Sequence, residues 1–203
     1  RDHDRQQRGD DVECHEQPLG HREAERQPEL ALLQPPAPAR AAVLVPLVER
    51  SAGLRVLLTQ RASHLKNHPG QISFPGGRIE LADAGPWEAA LRETQEEIGL
   101  EPRFITRAGY LQDHLVISGF RVTPAVGFVQ PGFDLRLDET EVENVFEVPL
   151  EFVLDVRNHL PRDRSIAGHT VITHEIPYEG RQIWGATASM LITFARLLRE
   201  VQA

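Results

Sequence analysis

Residues 76–100 read GGRIELADAGPWEAALRETQEEIGL: two glycines, a short acidic loop, then a run crowded with glutamates. The second half carries its own helix punctuation. Gly85 can serve as N-cap, Pro86 suits the first helical position, Glu88 falls in the first turn and Gly99 can close the end, so a helix is predicted over Pro86–Ile98. On that helix Glu93, Glu96 and Glu97 stand three and four positions apart and share one face. Like charges at this spacing cost roughly a few tenths of a kcal/mol per pair unless water screens them or a cation lies between them. A hard cation such as Mg²⁺ takes oxygen ligands, commonly one or two carboxylates together with substrate phosphates. The face is therefore read either as solvated acid or as a metal-binding surface. Its neighbours favour metal, because Gly76-Gly77 permit close backbone approach and Arg92 can pair with a carboxylate and orient it.

The length of 203 residues and a hydrophobic content of 40% allow one domain with a sizeable core. A formal charge of −8 argues against general nucleic-acid binding, which needs a basic face to neutralise phosphates. A small phosphorylated ligand stays compatible with that charge, since a local metal offsets it. The single cysteine, Cys14, cannot form an internal disulfide and lies in a polar stretch without a partner motif, which suits a reducing compartment rather than thiol catalysis. No run is long and apolar enough to span a membrane, and the first residues lack a signal-peptide pattern. The expectation is a soluble, cytoplasmic protein.

Residues 1–40 contain no aromatic side chain and one β-branched residue, Val12, with abundant Asp, Glu, Arg and Gln. They are predicted to form a disordered or linker-like extension ending in the PPAPA run, ahead of a domain spanning residues 41–203. Ala41–Glu49 and Leu54–Gln60 read as paired core strands around a turn, with Pro46 arguing for an edge position or a bulge in the first. Phe104–Tyr110, His114–Ser118 and Phe120–Val129 read as further strands, with Ser118-Gly119 as a tight turn. Glu151–Asp155 is predicted as a short helix, and Val171–Tyr178 and Gln182–Trp184 as closing strands. In Ala186–Arg199 the residues Met190, Leu191, Phe194, Leu197 and Leu198 form the apolar side of an amphipathic helix. The alternation of strands and helices points to the α/β class.

The pattern Gly77, five residues, Asp83, eight residues, then Arg92-Glu93-Thr94-Gln95-Glu96-Glu97-Ile98-Gly99-Leu100 resembles the Nudix box, usually G-x5-E-x7-R-E-U-x-E-E-x-G-U with U a bulky aliphatic residue. Two positions depart from it. The first acid is Asp83 with one extra residue before Arg92, and Thr94 stands where an aliphatic residue is usual. The aspartate and the longer spacing are similar to the coenzyme A pyrophosphatase branch of the Nudix hydrolases. So are Leu57-Leu58-Thr59, Arg61, Leu65, His68 and Gly70 to Gly77 immediately before the box, and the LQDHLVISGFRVTPAVGFV run at residues 111–129. RQIWGATASML at residues 181–191 is similar to the same region of Nudix enzymes.

The resemblance implies an α/β/α sandwich with a mixed β-sheet and metal-assisted attack of water on a diphosphate. It implies Glu93 and Glu97 as the main Mg²⁺ or Mn²⁺ ligands, Glu96 as an additional one, the Gly77 carbonyl as a further donor and Arg92 as the residue that orients the cluster. The general base stays open between a helix glutamate, Glu93 first, and Glu141 on a later loop. Arg61, His68, Gln71 and Ser73 are the expected substrate-binding residues, with Lys66 as an added point charge and His64 as a structural residue. The implied substrate is the small molecule coenzyme A or an acyl derivative, cleaved to 3′,5′-ADP and 4′-phosphopantetheine. ADP-ribose, dinucleotides and nucleoside triphosphates are the alternative substrates, and a ligand-binding regulator without hydrolysis is the alternative from another class. Homodimer formation is left open.

Overall fold

The computed structural model describes residues 37–166 and 169–202. Of the expected N-terminal extension, residues 1–36 lie outside the described residues, whereas Ala39 and Arg40 already belong to the first strand.

Strand β1 (Ala39–Arg50) is the spine of an eight-stranded mixed sheet, and it turns directly into β2 (Gly53–Arg61). These two strands pair only near their turn, from Leu47↔Val56 to Arg50↔Gly53, and then diverge. Two short strands fill the gap. β3 (Ile72–Ser73) pairs with β2 at Thr59 and Gln60, and β4 (Gly76–Arg78) pairs with β1 at Ala41 to Val43. The segment between them is fastened to β1 by Leu44 N–H donating to Pro75 O at 2.9 Å. Residues 72–78 are thereby wedged into the fork.

On its other side β1 runs parallel to β7 (Phe120–Val129), which in turn pairs antiparallel with β5 (Ile105–Tyr110) and β6 (His114–Val116). β8 (Val142–Pro149) pairs with the outer side of β2. β1 is therefore a central strand, and the expectation that Pro46 marks an edge or a bulge is corrected. Backbone N–H groups alternate sides along a strand, so the missing N–H of Pro46 falls on the same side as that of Leu44, facing the fork. Pro46 stands between the stretches of β1 that pair with β4 and with β2, where no ladder bond is lost.

Alternation of side chains divides the core in two. Val45 and Leu47 of β1 with Val56 and Leu58 of β2 face one side, whereas Leu44, Val48 and Leu57 face the other. Helix α1 (Pro86–Ile98) covers the second side with Ala89, Ala90 and Ile98. Helices α2 (Leu150–Leu154) and α3 (Gly185–Gln202) cover the first, and Met190, Leu191, Phe194, Leu197 and Leu198 of the predicted stripe all join that core. A smaller antiparallel sheet, in the order β11 (Arg181–Trp184), β10 (His169–Tyr178), β9 (Leu160–Ile166), leads into α3. The result is the expected α/β/α sandwich with a mixed sheet. No helix among the described residues is long and apolar enough to cross a membrane.

Candidate active site

Helix α1 has the predicted bounds. Pro86 opens it, and Gly99 closes it in the left-handed region at φ 71°, its N–H donating to Gln95 O at 2.9 Å. One face lies on the sheet, and Thr94 is on that face. Thr94 replaces the usual aliphatic residue at no cost in unpaired polarity, because its hydroxyl donates to Ala90 O at 2.6 Å inside the core.

The glutamates of this helix meet the wedge. Glu97 is buried, with 6% of its surface exposed, and its Oε2 accepts the N–H of Gly76 at 3.1 Å. Gly76 sits at φ 148° against the backbone of Ala42 and Val43, so this approach requires a residue without a side chain. Gly77 has the second such requirement, since a Cβ there would collide with the carboxylate of Glu93. Gly76 is thus fixed by the β1 backbone behind it, and Gly77 faces the Glu93 carboxylate.

Arg92 commits every N–H of its guanidinium. Nε and Nη2 donate to the two oxygens of Asp83 at 3.0 Å, Nη1 donates to Glu93 at 3.0 Å and to Glu96 at 3.1 Å, and Nη2 also donates to Arg78 O at 3.0 Å. Asp83 in turn accepts the Glu80 N–H at 2.8 Å. The loop before the helix is therefore a clamp on Arg92, and Arg92 is a clamp on two of the helix glutamates. Hydrogen bonds from Arg92, then from the Glu80 backbone, hold the Asp83 carboxyl below its ordinary value. The same partnership with Asp83 raises the proton affinity of Arg92 further.

The carboxylates themselves are under electrostatic load. Burial pushes Glu97 up to about 8; the Gly76 hydrogen bond and Arg61 oppose the rise, while Glu141 and Glu93 add to it. Burial also raises Glu93, with Glu96 and Glu141 adding to the rise and Arg92 opposing it. Glu141, the candidate from the later loop, therefore lies close enough to act on both helix glutamates. Its loop is tied to the helix end, since Arg136 N–H donates to Ile98 O and Asp138 N–H to Glu97 O, each at 2.9 Å. It is tied equally to the end of β2 by Ala62 N–H donating to Glu141 O at 2.8 Å.

Arg61 ends β2 and closes the loop that follows, its N–H donating to Gln71 O at 2.9 Å and its carbonyl accepting from Gly70 at 3.1 Å. Of the expected substrate-binding residues, Arg61 is brought to the glutamates, and Gln71 lies beside it with its side-chain amide toward Gly185. His68 is exposed in the intervening loop, in the left-handed region at φ 54°, and Lys66 is exposed nearby. Ser73 is engaged within the sheet, its hydroxyl 3.1 Å from that of Thr59. His64, expected to be structural, has its Nε2 3.2 Å from Thr140 O. The sequence did not reveal the bidentate Asp83–Arg92 pair or the Gly76–Glu97 bond, although Asp83 was marked by the motif.

For a hard divalent cation the donors fit. A buried carboxylate pushed up by desolvation and by two like charges is the group whose ionised form a cation would restore. The expected donors are not assembled around an ion: among the described residues no three His, Cys, Asp or Glu side chains form a group that could hold one, and Arg92 engages Glu93 and Glu96.

The NUDIX domain family matches residues 38–167. A protein of Enterobacter sp. (strain 638) designated Uncharacterized Nudix hydrolase NudL is 41% identical over 153 residues, which cover 75% of this chain and 79% of the relative. The protein of the same designation from Salmonella paratyphi B is 42% identical over an equal span. Among solved structures, the MutT protein from Methanosarcina mazei Go1 has a TM-score of 0.55 at 18% identity, covering 84% of this chain and all of its own. A C. elegans Ap4A hydrolase binary complex has a TM-score of 0.53 at 20% identity, covering 79% of this chain and 98% of its own. At those identities the likeness is one of fold. With the domain matching over residues 38–167 and relatives at this identity aligned along 75% of the sequence, the chain belongs to the Nudix hydrolase family, whose members generally hydrolyse diphosphates with a divalent metal.

Proposed function

We propose that the protein hydrolyses the diphosphate of coenzyme A or its acyl derivatives, releasing 3′,5′-ADP and (acyl-)4′-phosphopantetheine, with Mg²⁺ or Mn²⁺ as cofactor. The supporting observation is the physical union of the substrate-type signature with the glutamate site. Residues 61–75 end at Gly76, whose N–H holds Glu97, and Arg61 is near enough to favour the ionised form of that carboxylate.

Glu93 and Glu97 would hold the cation, with Glu96 and the Gly77 carbonyl as further donors. Bound there, it would draw charge from the phosphoryl oxygens and ease deprotonation of the attacking water. The chain's own residues supply the rest. Arg92 holds Glu93 and Glu96 on the acidic face, and an incoming cation would compete with it for their oxygens. Arg61 sets a positive charge beside the carboxylates, suited to a bidentate contact with a diphosphate oxygen pair, and His68 and Gln71 line the same loop. In this reading the proton of the attacking water is accepted by Glu93 or by Glu141, which is exposed and close to both helix glutamates.

The test is incubation of the purified protein with Mg²⁺ or Mn²⁺ and, separately, coenzyme A, acetyl-coenzyme A, ADP-ribose and NADH, with product masses read out. Appearance of 3′,5′-ADP from the coenzyme A substrates, well ahead of cleavage of the others, is expected. Preferential cleavage of ADP-ribose or NADH would overturn the substrate assignment, and binding without any product would overturn hydrolysis.

A further inference from the structure

The small sheet carries a cluster that the glutamate chemistry does not use. In its register Arg162 lies opposite Thr173, Arg164 opposite Val171, and Glu175 opposite both Leu160 and Trp184. Directly paired residues point to the same side, so Arg162, Arg164, Glu175 and Trp184 share one face, while Ile176 and Ile183 point into the core from the other. On that face two guanidinium groups share one carboxylate. Arg162 Nε donates to Glu175 at 3.0 Å and Arg164 Nη2 donates to it at 2.8 Å. One acid against two bases leaves a local positive charge on a chain whose overall charge is −8.

Arg164 also lies 4.4 Å above the ring of Trp184, and its Nε is buried with no hydrogen-bond partner among the described residues. A buried unpaired donor costs the fold stability, so packing alone does not account for this arginine. The side chains remain reachable, with Arg162 53% and Arg164 37% exposed.

The cluster adjoins the proposed substrate loop. Trp184 is followed by Gly185, which turns the chain into α3 at φ 64° and faces the side-chain amide of Gln71. Two residues further, the Thr187 hydroxyl donates to Ile72 O at 3.0 Å. Arg61, whose charge acts on Glu97 and whose N–H donates to Gln71 O, is thus linked through Gln71 and Gly185 to the neighbourhood of Trp184 and Arg164.

We propose that Arg162, Arg164 and Trp184 bind a phosphomonoester-bearing nucleoside, the 3′-phosphoadenosine end of the substrate. This rests on the reading of the substrate as coenzyme A. Paired guanidinium groups match the oxygens of a phosphate dianion, and an arginine stacked on tryptophan presents a planar platform for a purine. The diphosphate would lie at Arg61 and the glutamates while this face holds the nucleoside.

The experiment measures binding of 3′,5′-ADP and of 5′-AMP by calorimetry, without turnover, to the wild type and to Arg162→Gln and Arg164→Gln. Arg162→Gln leaves Glu175 paired with Arg164, so the sheet keeps its carboxylate partner. The wild type is expected to prefer 3′,5′-ADP by about tenfold or more, the scale of one charge-assisted hydrogen bond, and each variant to lose that preference while holding 5′-AMP as before. Equal binding of the two nucleotides by the wild type, or equal weakening of both in Arg162→Gln, would overturn the inference. Hydrolysis separates it from the reading on which it rests. If wild-type protein cleaves coenzyme A and its 3′-dephospho form alike, the function stands and this subsite falls. Selective 3′,5′-ADP binding with no cleavage of coenzyme A would remove the function and keep the subsite.

Discussion

Glu97 occupies a position where a carboxylate is costly. It is buried, receives one backbone hydrogen bond from Gly76, and stands within reach of two like charges, Glu93 and Glu141. Replacement by glutamine keeps the oxygen that accepts the Gly76 N–H and removes the ionisation. Glu97→Gln is therefore expected to fold, to be at least as stable as the wild type in EDTA at pH 8, and to lose most turnover with Mg²⁺, on the order of a hundredfold or more. Parallel thermal melts and rate measurements check it. A variant that turns over at nearly the wild-type rate would remove Glu97 from the ligand set. The residue was legible as a candidate because its spacing from Glu93 follows the helix period. Its burial was not, because burial is decided by the wedge of residues 72–78, which reaches it from a different part of the chain.

Among the elements, α1 shows what local sequence can specify. Its ends are set by Gly85-Pro86 and Gly99, residues whose backbone preferences act without tertiary help, and its predicted and observed bounds agree. The end at Gly99 also has a tertiary task. Arg136 N–H caps Ile98 O there, and a Cβ on Gly99 would come within 2.9 Å of that same nitrogen. Gly99→Ala thus forces a left-handed alanine and pushes away the loop that carries Asp138 and Glu141. A loss of roughly 1–3 kcal/mol is expected from such strain, seen as a lower denaturation midpoint, together with reduced activity from displacement of Glu141. Unchanged stability would show that the loop yields freely. Other elements were hidden for physical reasons. β3 and β4 are two and three residues long and rich in glycine and serine, so no periodicity can announce them, and they exist because β1 and β2 leave a gap. β9, with the sequence LPRDRSI, is polar on alternate positions that face Glu175 rather than an apolar core. The Arg162–Arg164 spacing of two was its one signal, and it becomes meaningful only beside β10.

At the scale of the whole molecule, the sandwich packs two hydrophobic cores against one sheet and drives an acidic face into the seam between helix, wedge and loop. Linkage makes this arrangement pH-dependent. The Glu97 carboxyl is raised from an ordinary value near 4.5 to about 8 in the folded chain, and Glu93 is shifted in the same direction. Between those values the folded protein holds a proton that the unfolded chain has released, so folding stability falls as pH rises through this window. Each pH unit of the window costs about 1.4 kcal/mol for one such proton, an upper bound because the seam can relax. Asp83, Asp138 and Asp155 are shifted downward, so their contributions are present above their ordinary values and lost only in more acidic solution, outside this window. The metal-free protein in EDTA is therefore expected to have its highest denaturation midpoint near pH 5 and to weaken steadily toward pH 8. Mg²⁺ or Mn²⁺ binds the ionised carboxylates and should raise the midpoint strongly at pH 8 and little at pH 5. Glu97→Gln should flatten both the pH dependence and the metal response, since it removes the group from which most of each arises. Urea denaturation at pH 5, 6, 7 and 8, with and without metal, decides the matter. A metal-free midpoint that rises with pH across this range would show that the Glu97 carboxylate is already stabilised in the folded chain without a cation.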